Sequence, residues 1–364
     1  MNRKPETAKE IPCKLILHPT DPRYTDVHLR RFQGCPTLAI TPGGRIYMGW
    51  YAGGDREPHM DNFNLLVFSD DRGETWSRPL LVIPSDRERW VHALDIQLWT
   101  APDGRLFVFW VQNNTEPVEL GRPGYAVDGF VFYDNVHAEW VSVCENPDAD
   151  EPVFSEPRCL DRGFLRCKPL VLDSGAWLNF NYDQSSDRYG YSISNDQGRT
   201  YRHAYGAVKI PTPFDESMAY QRRDGSVRMF ARTSVGEIAE SVSCDGGETW
   251  APARLTGLPN ANTRLFIART PSGRVLLVNN DDAHRRCRMT VYLSEDDGKT
   301  WPYRRCIDER DSLSYPDADF YGGRVYLAYD RERCGAREIL FVSFSEEDIL
   351  HPERALDIRV VSKP

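Results

Sequence analysis

No run of this chain approaches the roughly 18 consecutive apolar residues that a membrane-spanning helix requires, so no helical anchor is expected. Helical periodicity is scarce throughout, and only E-E-D-I-L at 346–350 reads as a helical turn. The Walker loop, the H-E-x-x-H pair, the G-x-S-x-G elbow and the dinucleotide glycine fingerprint are all missing. Those mechanisms therefore have no support in the sequence. Cysteines number nine, an odd count without C-x-x-C spacing, which suits reduced thiols better than a disulfide or zinc framework. Positive charge is in deficit, 45 Lys and Arg against 54 Asp and Glu. The net charge of −9 argues against general nucleic-acid or anionic-membrane binding, while local basic patches stay open. The first ten residues are polar and hold no apolar core for export, so a cytoplasmic location is expected.

What the chain does contain is turn and strand chemistry. Aromatics make up 12%, with 25 Pro and 26 Gly. One phrase occurs four times: S-D-D-R-G-E-T-W at 69–76, S-N-D-Q-G-R-T-Y at 194–201, S-C-D-G-G-E-T-W at 243–250 and S-E-D-D-G-K-T-W at 294–301. The shared frame, Ser-x-Asp-x-Gly-x-Thr-Trp/Tyr, is that of a tight turn. The Asp can bond backbone groups two residues on, the Gly supplies a positive φ, and the aromatic can pack back against a sheet. Four copies in register indicate a repeat.

Strand–turn–strand runs precede or follow these phrases at 34–51, 98–110, 168–180, 219–230, 266–278 and 317–329. Successive box serines lie 125, 49 and 51 residues apart, so the long gap holds one unit without its box, replaced by the polar stretch 146–152. Six units of about 60 residues suit four-stranded blades. The apolar run 13–18 is expected to be an outer strand that closes a ring with the C-terminus. The reading is all-β, one six-bladed β-propeller domain over residues 1–364.

The frame resembles the Asp-box of the sialidase-like β-propellers, over roughly residues 30–345. In that family the box is structural and lies away from the chemistry. The resemblance implies a Tyr nucleophile in the last unit, and S-L-S-Y-P at 312–316 offers Tyr315. A sialic acid bears a carboxylate on its anomeric carbon, so a neutral phenol can attack where an anionic carboxylate would be repelled. A phenol needs a base within reach. By position F-D-E-S-M at 214–218 gives Glu216 that role, with Asp215 structural or supporting.

The family clamps its substrate's carboxylate with three arginines, whose planar forks suit that group. Two are matched here, Arg232 and Arg286. Arg288 and Arg285 are rivals of the latter, since strand alternation puts Arg286 and Arg288 on one side. The third is missing, because Arg-Ile-Pro of the first blade is replaced by Gly34-Cys35-Pro36. For the proton donor the 53–62 loop favours Glu57, with Asp55 and Asp61 as alternatives, and His59 and His92 can also supply a proton. Arg166 and Lys168, before the third unit's first strand, can hold a hydroxyl or a carboxylate, or be solvated. Trp99, Trp110 and Tyr182 can stack on sugars, although core packing is the simpler role.

These residues imply a retaining exo-glycosidase acting on a terminal sialic acid or a related acidic or deoxy sugar. Its partner would be a small oligosaccharide or glycoside, with no metal or organic cofactor. The alternatives are a carbohydrate-binding propeller without catalysis, and a propeller glycosidase or polysaccharide lyase that uses His59 or His92.

Overall fold

The computed structural model describes residues 8–118, 125–127, 129–212 and 214–364, so the polar start at residues 1–7 lies outside the described residues. Two compact units partition the chain. The first comprises 1–165 with 333–339 and 361–364, and the second comprises 166–332 with 340–360.

Six antiparallel meanders follow one another in sequence. The first unit holds two of them. Phe32–Ile40, Ile46–Gly53, Phe63–Ser69 and Leu81–Pro84 form one, and Val91–Thr100, Leu106–Pro117, Phe130–Cys144 and Arg158–Arg162 form the next. The 13–18 run departs from expectation. Its strand Ile16–Leu17 adds an outer fifth strand to the first sheet by pairing with Leu81 and Val82, and does not reach the C-terminus. Gln112 explains the path: its carboxamide oxygen accepts the Cys13 N–H at 2.8 Å and its amide donates to the Ile11 carbonyl at 2.7 Å.

In the second unit the third sheet runs Leu170–Val171, Trp177–Asn179, Arg188–Ser194 and Arg202–Val208. The fourth runs Ser217–Gln221, Val227–Ala231, Glu237–Ser243 and Arg254–Pro259, and the fifth Phe266–Arg269, Val275–Asn280, Cys287–Ser294 and Tyr303–Asp311. The strands Leu313–Tyr321, Arg324–Arg331, Glu338–Phe344 and Arg359–Ser362 make the sixth. The second strand Val275–Asn280 is buried along its whole length, which is why its first four residues are all apolar rather than alternating. The short helix Glu346–Leu350 is present, with a capping box between Ser345 and Asp348.

The four repeated phrases build one turn. In the last copy the Ser294 hydroxyl accepts the Gly298 N–H at 2.8 Å and donates to Asp296 at 2.8 Å. The Asp296 carboxylate accepts the Thr300 N–H at 2.9 Å and hydroxyl at 2.7 Å. The same bonds recur around Asp71, Asp196 and Asp245, and the following threonine's hydroxyl and amide hold each carboxyl down at about 2. Gly298 sits at φ +76, where a side chain would be strained.

The box aromatic packs partly on the preceding sheet. Trp250 lies 6.0 Å from Phe180 and 5.7 Å from Tyr191, and Trp301 lies 6.4 Å from Phe230. Tyrosines of the preceding sheet tie the same turns down by donating to their carbonyls, Tyr191 to Gly247 at 2.6 Å and Tyr220 to Asp297 at 2.9 Å. The boxless turn at 146–152 keeps this tie, since Tyr47 donates to the Pro147 carbonyl at 2.6 Å. A lost box has thus kept its anchor.

Three first strands share another device. Phe32–Ile40, Val91–Thr100 and Leu313–Tyr321 each slip register within three residues, between Gly34 and Thr37, Leu94 and Gln97, and Ser314 and Asp317. At each slip a non-glycine residue adopts left-handed backbone: Cys35 at φ +57, Asp95 at +60 and Tyr315 at +54. Bulges of this kind re-aim a side chain.

Candidate active site

The second unit brings Tyr315, Glu216, Arg232, Arg286 and Arg166 together. Hairpin register does part of this. Ser217 pairs with Ala231, so Glu216 and Arg232 face one another one step beyond, and the Arg232 N–H donates to the Glu216 carbonyl at 3.0 Å. Their side chains meet as well, Arg232 Nη1 to Glu216 Oε2 at 2.8 Å. The Tyr315 hydroxyl donates to Glu216 Oε1 at 2.7 Å, and Arg232 Nη1 donates to the Tyr315 oxygen at 3.1 Å. Arg166 Nε reaches the same Oε1 at 3.3 Å. Arg166 is therefore neither solvated nor placed on its own, but bound to the carboxylate.

Two guanidinium groups, of Arg232 and Arg166, contact this one carboxylate, and three surround the phenol ring. Those of Arg166, Arg264 and Arg286 lie 4.9, 5.1 and 5.9 Å from the centre of the Tyr315 ring. Glu216 is 2% exposed, and burial alone would push its carboxyl up. Attraction to Arg232 and Arg166, with hydrogen bonds from Tyr315 and Arg232, outweighs burial and brings it down to about 2. Beside it Asp215 is pushed up to about 6 by burial, although Lys209 sits 2.9 Å away. Phe214 is 41% exposed and presents its ring to Arg232 at 5.1 Å. Holding a residue such as Tyr315 at a left-handed φ costs about 1–2 kcal/mol, so the surroundings must favour this placement.

Arg264 and Asn262 escaped the sequence reading. Asn262 accepts from Arg232 Nε at 2.8 Å through its side chain and from Arg286 Nη2 at 2.7 Å through its carbonyl, so it spaces two arginines. The available signal was position: Arg264, like Glu216, stands just before its sheet's first strand. Lys168 takes a different part from that expected, being buried in an ion pair with Asp317 at 3.3 Å. Arg288 does not share the direction of Arg286. Its φ of +48 and the slip between Cys287 and Met289 break the alternation, leaving Arg288 exposed near Asp282. Arg285 is also exposed. Trp99, Trp110 and Tyr182 are buried in the core.

The first unit separates its acid candidates. Asp55 pairs with Arg56 at 2.9 Å, and Asp61 pairs with Arg87 at 2.8 Å beside an open cleft of about 560 Å³. Glu57 meets Arg333 at 3.2 Å and the Cys35 sulfur at 4.0 Å. Cys35, Glu57 and Asp95 bring ligand atoms within 4.8 Å of one another, close enough to share an ion, but Arg333 already presents a fixed positive charge to Glu57. A Cβ at Gly34 would stand 2.7 Å from Arg333 Cγ. Where the resembled family begins a blade with arginine, this chain leaves room that the side chain of Arg333 fills. His59 is buried and its Nδ1 accepts the Asp61 N–H at 3.0 Å. His92 is enclosed between the Tyr51 hydroxyl at 2.6 Å and Asn113 at 2.9 Å, and burial drives it down to about 3, which disfavours the charged imidazolium.

A model of the BNR repeat-like domain matches residues 44–327. The chain belongs to the BNR repeat-like family. This BNR repeat-like chain is 31% identical over 134 residues to a sialidase of Micromonospora viridifaciens, a stretch covering 34% of the chain and 20% of that relative. It is 25% identical over 193 residues to an anhydrosialidase of Macrobdella decora, covering 48% and 25% respectively. The chain thus spans a quarter or less of the length of these relatives. Among solved structures, a Hadza microbial sialidase superposes with a TM-score of 0.71 at 18% identity, over 90% of this chain and 68% of that one. At that identity the likeness concerns the fold, a six-bladed β-propeller of the sialidase kind. No helix among the described residues is long and apolar enough to cross a membrane.

Proposed function

We propose that this protein is a retaining exo-glycosidase for a terminal sialic acid or a related acidic sugar, with Tyr315 as nucleophile and Glu216 as its base. The observation that carries the reading is the 2.7 Å hydrogen bond from the Tyr315 hydroxyl to Glu216, buried among guanidinium groups. A tyrosine used only for packing has no need of a carboxylate acceptor held by two arginines.

In the proposed reaction the phenolic oxygen attacks the anomeric carbon while Glu216 takes its proton. The bond to the aglycone breaks, its electron pair stays on the departing oxygen, and that oxygen takes up a proton. Water then attacks the glycosyl–tyrosine and gives up one proton to solvent, balancing the proton the aglycone took up, while the phenolic oxygen leaves and regains its proton from Glu216, and two inversions give retention. With a pKa of about 2 the resting carboxylate is a poor base for a phenol near 10. An anionic sugar at Arg232 and Arg286 offsets the positive charge that holds Glu216 down, and so raises its basicity once substrate is bound. Asn262 keeps those two arginines spaced for one anion.

The test is release from a panel of aryl glycosides headed by an aryl α-sialoside, whose phenolate departs without needing a strong acid. Wild type should release the phenol, and Glu216→Gln should lower the rate by about 10²–10⁴-fold. Tyr315→Phe should lose at least as much. Release that survives in Tyr315→Phe overturns the assignment, and release from no glycoside by wild type points to a binding propeller.

A further inference from the structure

Arg264 is 2% exposed, and its fork is directed at backbone. Nη1 donates to the Arg166 carbonyl at 2.7 Å, while Nη2 donates to the carbonyls of Tyr315 at 3.1 Å and Pro316 at 3.2 Å. The same guanidinium stands 5.1 Å from the centre of the Tyr315 ring. These contacts meet at the place where the Leu313–Tyr321 strand slips register and Tyr315 takes φ +54. Pro316 has no N–H to return to the ladder, and a residue before proline resists helical backbone, so local sequence alone leaves this bulge weakly determined. A planar, permanently charged, two-pronged donor suits this arrangement, one nitrogen holding both successive carbonyls of the bulge while the other anchors on the Arg166 carbonyl.

We infer that Arg264 is a positioning residue for Tyr315, clamping the backbone of the bulge that aims the phenol and laying positive charge against the ring face. This rests on the reading of Tyr315 as nucleophile. It separates Arg264 from Arg232 and Arg286, which are the proposed anion clamp. Charged groups facing the phenol are Arg166, Arg232, Arg264, Arg286 and Glu216, so removing Arg264 leaves three cations and one anion in place. A positioning defect then shows in kcat and leaves substrate affinity intact.

The experiment compares wild type, Arg264→Met, Arg264→Lys and Tyr315→Phe by aryl glycoside kinetics. In parallel, NMR of protein labelled with ¹³C at the tyrosine ζ carbon reads phenol ionisation, the Tyr315 resonance being assigned by its loss in Tyr315→Phe. Arg264→Met should lower kcat by about 10²-fold with KM within about threefold, and its Tyr315 phenol should ionise at higher pH than in wild type. Arg264→Lys, which keeps the charge without the fork, should return the phenol towards wild type and recover only part of kcat. A folded Arg264→Met with kcat within about twofold of wild type, or with KM raised at constant kcat, overturns the inference. If the Met variant does not fold, the Lys variant decides: reduced kcat with a wild-type-like phenol supports the clamp, and unchanged kcat refutes it. If wild type hydrolyses nothing, the glycosidase reading fails by itself, and an unmoved phenol ionisation in folded Arg264→Met still counts against the inference.

Discussion

Replacing Glu216 by Gln tests the electrostatics of the site without any substrate. Gln keeps the shape of the side chain and an oxygen to accept from Tyr315, and it removes the charge opposite Arg232 and Arg166. Folding lowers the Glu216 carboxyl from its ordinary 4.5 to about 2. At about 1.4 kcal/mol per unit, that depression corresponds to about 3 kcal/mol of stability at pH 7. The same size follows from chemistry alone, because removing one partner of a buried ion pair costs about 3–5 kcal/mol. The sign is fixed by the direction of the shift. A lowered carboxyl stabilises the folded chain fully above pH 4.5, and the contribution drains away as pH falls towards 2. Urea unfolding followed by tryptophan fluorescence should therefore give Glu216→Gln about 3 kcal/mol less stability at pH 7. The gap should shrink to about half by pH 3. Equal stability at pH 7, or a gap that does not change between pH 7 and pH 3, would refute the view that Glu216 is held as an anion by its arginines.

Three further outcomes are expected. Asp296→Ala removes the acceptor of three bonds in an exposed turn and should cost about 1–2 kcal/mol in thermal or urea unfolding, with glycosidase kcat and KM unmoved. Gly298→Ala should destabilise more than Gly225→Ala: both stand at positive φ, but only the first puts a Cβ 2.3 Å from the Tyr220 hydroxyl, whereas Gly225 meets nothing within 4 Å. Thermal unfolding of the two variants ranks them, and equal losses would contradict it. Lys168→Met strands the buried Asp317 carboxylate and should cost about 3–5 kcal/mol. Lys168→Met with Asp317→Leu should recover most of it, a rescue that a substrate-binding lysine would not show.

Much of the architecture was legible because a repeat announces itself. The four Ser-x-Asp-x-Gly phrases end third strands, and counting back from them finds the hairpins. Glu216 and Arg232 were legible by resemblance, from the phrases at either end of the fourth unit's first hairpin, and the register of that hairpin sets them face to face. Residues whose place depends on bulges or loops were harder to foresee. Arg286 and Arg288 look equivalent by alternation until the slip at Cys287 and Met289 turns one away. Arg264 is placed by the path of a loop, and Gly34 makes sense only beside Arg333, some 300 residues along the chain. The enclosure of His92 between Tyr51 and Asn113 is likewise a meeting of separate strands. Nothing local in the sequence encodes these encounters.

The three register slips bear on how such a chain can change its chemistry. A residue carried at a slip is outside the one-to-one pairing of the strands, so its side chain can be exchanged while every other pair keeps its partner. Here the three mounts carry a thiol at Cys35, a carboxylate at Asp95 and a phenol at Tyr315. Reactive groups of three kinds stand on one backbone fitting, and the ladder around each is indifferent to which is installed. A scaffold made this way can acquire or lose a reaction by single exchanges at fixed sockets, without redrawing its sheets.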